Sequence, residues 1–131
     1  MNTLDRQDLG KLILRASLGI LVLLHGIAKL TGGLAGVEGM VAGAGLPGVL
    51  AYGVLLGEVV GPLLLILGFH ARIGAILVAI NMLFAFGLAH MGELAQLGPT
   101  GGWALELQGM FLSAAIALVF LGPGRWSINQ K

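Results

Sequence analysis

The sequence predicts an all-α membrane protein, with four transmembrane helices in a compact bundle, both termini cytoplasmic, and a single domain over residues 1–131. Three observations carry that prediction. Of the residues, 57% are hydrophobic and only 10% are charged, with a mean hydropathy of +0.98; soluble domains carry about 25% charged residues. Four apolar stretches, at about 9–30, 48–69, 72–91 and 103–121, are each close to the ~20 residues that cross a hydrocarbon core of about 30 Å. Six of the seven Lys and Arg residues fall on one side of the arrangement these stretches imply, and only Lys29 falls on the other. The positive-inside rule makes the first side cytoplasmic.

Residues 1–8 are polar and suit an interface. The first apolar run, Leu9 to Leu30, is longer than the core of a signal peptide, and three further apolar segments follow it, so a spanning helix is the better reading. Residues 32–47 hold six glycines and one charge, Glu38. They predict an outer connection with a short interfacial helix around Val37 to Ala44, ended by Gly45 and Pro47.

The second span, Gly48 to Phe69, carries Gly53, Gly57 and Gly61 at a spacing of four, a pattern that lets helix backbones approach closely. Glu58 lies near its middle, and Pro62, one turn on, is placed to kink it. His70-Ala71-Arg72 reads as a tight turn. The third span, Arg72 to Met91, has Asn81 at its centre and His90 near its end. Residues 92–103 form a glycine-rich loop, and the fourth span, Trp103 to Leu121, has Glu106 and Gln108 in its first turns. Gly122 and Pro123 stop that helix, and Trp126 suits the interface.

The polar side chains inside these spans are the candidate site. Arg15, Leu18, Val22, His25 and Lys29 follow steps of 3, 4, 3 and 4 and so share one helical face. An ionisable group deep in a bilayer costs about 2.5–3.5 kcal/mol on insertion scales, so that face should look into the protein. Counted at about 1.5 Å per residue, Glu58 and Asn81 lie roughly 15 Å below the outer surface, His25 about 9 Å, and Lys29 and Glu106 within about 5 Å. A buried carboxylate needs a partner. By depth His25 comes first for Glu58, directly or through one water, and Lys29 second. A structural pair that fixes helix register and a proton-handling or ligand-orienting site have equal weight as explanations.

His25, Lys29 and Glu58 form the candidate catalytic set, with Asn81, Glu106 and Arg15 as the candidate ligand-binding set. Arg15, near the cytoplasmic end, is expected to snorkel. His90 reads as interfacial, His70 as a turn residue, Glu106 equally as a favourable charge at a helix start, and the glycine row as packing. Two facing histidines can ligate haem, but His25 and His90 differ in depth. His25-x-x-x-Lys29 is no metal-ligand pattern. The absence of cysteine excludes thiol exchange and cysteine-held iron–sulfur clusters. A net charge of +1 gives no footprint for nucleic acid.

Several pieces in this order resemble the DoxX family of small four-helix membrane proteins over nearly the whole chain. They are LILRASLGILVLLHGIAKL (Leu12 to Leu30), GLP (Gly45 to Pro47), GEVVGPLLLILGFHARIGAILVAINML (Gly57 to Leu83), GGWALE (Gly101 to Glu106) and GPGRWSI (Gly122 to Ile128). Arg15, His25, Lys29, Glu58 and Glu106 match polar positions characteristic of the family. Its pattern usually places an Asp where this chain has Asn129. The resemblance implies a multi-pass protein of a bacterial-type cytoplasmic (inner) membrane and a component of an oxidoreductase system linked to quinones, catechols or oxidative stress.

Three functions stay open on these grounds. The first is a redox subunit that binds a quinone or small phenol through His25, Lys29 and Glu58. Its electrons would come from a partner or a bound cofactor, because the chain has no cysteine, flavin or nucleotide motif. The second is a non-enzymatic anchor or assembly factor that docks soluble redox enzymes. The third is a small-molecule or proton pathway, with a homodimer formed through the glycine row of the second span.

Overall fold

The computed structural model describes residues 2–33, 35–47, 50–89, 97 and 106–131. His90, Trp103, the loop between them apart from Leu97, and the start of the second predicted span at Gly48 lie outside these residues.

Helix α1 runs Thr3–Gly32, 30 residues or about 45 Å. It starts well before the apolar run because Asn2 caps it. The Asn2 Oδ1 accepts from the Asp5 amide at 2.8 Å, and the Asp5 charge complements the positive helix end. Residues expected to be interfacial are therefore helical. A short α2, Ala35–Gly43, falls where the interfacial helix is predicted, and Gly45 beyond it has φ +79°.

Helix α3, Ala51–Leu67, is not α-helical throughout. Its middle turn, Leu56–Val60, is a π-helix. Pro62 has no N–H to offer the carbonyls of Gly57 or Glu58 one turn below, so the strain expected as a kink is taken up as a widened turn. Gly68, at φ +70°, ends the helix, and His70, at φ +46°, makes the turn into α4, Ala71–Ala89. The last helix, α5, is Glu106–Leu121.

α1, α3, α4 and α5 enclose a core that includes Leu18, Val22, Leu65, Ala75, Val78, Phe111, Ala115 and Leu118. Outside that core the chain is apolar again, with Ile20, Leu24, Ile27, Tyr52, Leu63, Ile80, Leu83 and Phe120 all exposed. Arg15, Glu58 and Asn81 are meanwhile buried. Apolar outside with charge inside is the pattern a lipid solvent selects. Among the described residues, α1 alone is long and apolar enough to cross a membrane, and Ala51–Leu67, Ala71–Gly87 and Glu106–Leu121 are shorter apolar helical stretches. The result is an all-α, largely helical fold consistent with a membrane protein.

The C-terminal segment folds back across one end of the bundle. The amides of Ile128 and Asn129 donate to the Gly68 carbonyl at 3.1 and 3.3 Å. Asn129 Oδ1 accepts from the amides of His70 (2.9 Å) and Lys131 (3.2 Å), an acceptor role that an Asp fills equally well. Arg125 pairs with Asp5 and approaches Asp8. The start of α1, the α3–α4 turn and residues 122–131 therefore meet at one end.

Candidate functional site

The face of α1 that meets α3 is set by small residues. A Cβ at Gly19 would stand 2.7 Å from Ile66 and 3.0 Å from the Pro62 carbonyl, and one at Gly26 would overlap the Glu58 carbonyl. The inward stripe is therefore Arg15, Gly19, Val22, Gly26 and Lys29, in steps of 4, 3, 4 and 3. The stripe read from the sequence shares Arg15, Val22 and Lys29 with it; Leu18, next to Gly19, is buried in the core as expected, whereas His25, next to Gly26, is exposed.

That offset decides the partner of Glu58. Lys29 Nζ lies 2.6 Å from Glu58 Oε2, and Asn81 Nδ2 donates to Glu58 Oε1 at 3.1 Å. The pairing of His25 with Glu58 is corrected: His25 is exposed and stands edge-on to Phe111 of α5, ring centroids 5.8 Å apart. Its depth was compatible with Glu58, but its position on the helix turns it toward α5. Along the helix axes Glu58 lies about 10 Å from the start of α3 at Ala51 and Lys29 about 5 Å from the end of α1 at Gly32, a difference the lysine stem covers.

Three further glycines build the site. A Cβ at Gly57 would collide with Asn81, and Gly61 and Gly74 each face the other's carbonyl across the α3–α4 contact. This close approach, together with the π-turn that carries Glu58, brings Asn81 to the carboxylate. Gly53 meets nothing within 4 Å. The expected glycine row thus packs inside the chain at Gly57 and Gly61, while Gly53 faces open space.

Beside the triad of Lys29, Glu58 and Asn81, α3 and α4 leave a half-open groove of about 260 Å³. Leu50, Val54, Leu77, Ile80 and Phe84 line it, and Asn81 is the polar residue among its lining. An amide has two N–H donors and a carbonyl acceptor, and here one N–H is committed to Glu58. The volume lies just below the range of about 300–1,000 Å³ usual for small-molecule sites. Lys29 is the triad's most accessible member, its side chain 26% exposed against 9% for Glu58.

The other candidates lie elsewhere. Glu106 is exposed in the first turn of α5 and has no contact with Glu58. Arg15 does not snorkel: it is 1% exposed and bonds only to backbone carbonyls. Its Nη1 donates to Leu65 O (2.8 Å) and Ile66 O (3.0 Å), its Nε to Pro123 O (3.0 Å), and its Nη2 to Trp126 O. The first two are last-turn carbonyls of α3, where the helix dipole is negative, so a guanidinium is stable there without a carboxylate. Arg15 clasps α1, α3 and the C-terminal segment together. Sequence reading missed this role, along with Gly19 and Gly26, because a search for polar spacing passes over glycines and cannot locate the returning tail.

The DoxX family model matches residues 10–91, which hold Arg15, His25, Lys29, Glu58 and Asn81. A protein of Haemophilus influenzae, described as uncharacterized, is 31% identical over 121 residues, covering 90% of this chain and 87% of its own. No solved structure matches the chain.

Proposed function

This chain belongs to the DoxX family, and on that premise we propose that it is a multi-pass subunit of a membrane redox system that holds a quinone or small phenolic ligand in the α3–α4 groove. The observation that supports the reading is the placement of Asn81: it is both the polar residue lining an apolar groove and a hydrogen-bond donor to the buried Glu58. A ring in the groove would rest on Leu77, Ile80 and Phe84, with an oxygen directed to the Asn81 amide. Glu58, fixed by Lys29, holds that amide in place. This chain's part is to bind and orient, and a soluble partner would supply the electrons.

The same proposal puts α1, α3, α4 and α5 across a bacterial-type cytoplasmic membrane, with the end that gathers Arg6, Lys11, Arg72, Arg125 and Lys131 facing the cytoplasm. Lys29 and the triad then belong to the outer half. Native mass spectrometry in mild detergent, with extraction of whatever stays bound, tests the ligand. A retained quinone or phenol that is lost in Asn81→Leu supports the reading. Phospholipid alone would return the chain to the anchor reading and leave the triad as structure.

A further inference from the structure

At the opposite end from the triad, residues 122–125 curve away from α5 and leave a cavity of about 350 Å³ against α1 and the start of α4. Its lining brings Lys11, Arg72 and Arg125 around one carboxylate, Asp8. The charges are not equally free. Arg125 is taken by Asp5 and Asp8. Lys11 and Arg72 have no carboxylate partner among the described residues, and Lys11 is nonetheless half-buried.

The backbone is shaped to admit both cations. Gly122 and Gly124 have φ of +76° and +82°. A Cβ at Gly122 would stand 2.8 Å from the Arg72 guanidinium, and one at Gly124 3.3 Å from Lys11 Cβ. Arg72 Nε is fixed by the Val119 carbonyl at 3.0 Å, which leaves its terminal amines for a ligand. Leu121 lines the same cavity, and Phe120 beside it is 79% exposed. Two unmatched cations beside an apolar rim suit a phosphate that carries, or lies next to, an acyl chain.

We propose that this cleft binds a phosphate ester, from an anionic phospholipid headgroup or from a soluble source, through Lys11 and Arg72. Net anionic charge is the recognised feature, so a zwitterionic headgroup is discriminated against. The proposal is independent of the groove at Asn81, and its failure leaves that reading intact.

The test is native mass spectrometry of the full chain in mild detergent, with equal amounts of phosphatidylglycerol and phosphatidylcholine. Wild type is expected to retain phosphatidylglycerol at least fivefold over phosphatidylcholine, and 0.5 M salt should abolish that preference. Lys11→Gln, which has no internal bond to lose, should bring the ratio near one, and Lys11→Arg should restore it. Displacement by glycerol 3-phosphate would identify the soluble source, and resistance to it the lipid. Equal retention of the two lipids by wild type, or a preference unchanged in Lys11→Gln, overturns the proposal.

Discussion

Lys29 and Glu58, 29 residues apart in the chain, meet at 2.6 Å on the inner face of the bundle. They are joined across a contact that exists because Gly26 presents no side chain to the Glu58 carbonyl. Removing one member of such a pair strands the other charge. Glu58→Gln and Lys29→Met should each lose about 3 kcal/mol in a reversible denaturation in mixed micelles, the low end of the range because Lys29 is partly exposed. The double variant should recover most of that loss. A double variant as unstable as the sum of the singles would show that the pair is not coupled.

His25 touches Phe111, not the carboxylate. A double-mutant cycle of His25→Ala with Glu58→Gln should accordingly be additive within about 0.5 kcal/mol. His25→Phe should keep the edge-on contact and hold stability near wild type. A coupling above about 1 kcal/mol would put the imidazole back in the site.

Gly57 and Gly53 look alike in sequence but not in packing. Gly57→Ala drives a methyl into Asn81 and should cost about 1–3 kcal/mol while loosening the Asn81–Glu58 bond. Gly53→Ala faces open space and should be neutral or stabilising by up to about 1 kcal/mol. Thermal melts of the two purified variants give the comparison, and equal melting temperatures would contradict the α3–α4 packing described above.

Arg15 serves carbonyls of α3 and of the C-terminal segment that a single ammonium cannot reach together. Arg15→Lys should therefore release residues 122–131, seen as faster hydrogen exchange at Ile128 and Asn129, whose amides bond Gly68. Protection unchanged in that variant would assign the clasp to other contacts.

The helical architecture was legible because apolar run length and glycine punctuation are local properties. Glu58 and Asn81 were legible too, as polar residues at matching depth. The partner of Glu58 was not, because it depends on which α1 residues are small enough to meet α3, and 100° of rotation separates His25 from Gly26. Arg15 resembled a snorkelling residue for a related reason: its acceptors are backbone carbonyls, and carbonyls carry no sequence signature. The early start of α1 is legible in Asn2 and Asp5, a capping pair that lies outside the apolar run.

The most direct test of the central claim is a titration of a short-chain quinone into the purified full chain, followed by two-dimensional NMR of a sample labelled at the Asn81 side-chain amide. The account predicts saturable binding that shifts this amide resonance, weakened at least tenfold by Asn81→Leu and by Ile80→Trp, which fills the groove. Binding that is non-saturable, or that leaves the Asn81 amide and both variants unaffected, would contradict it.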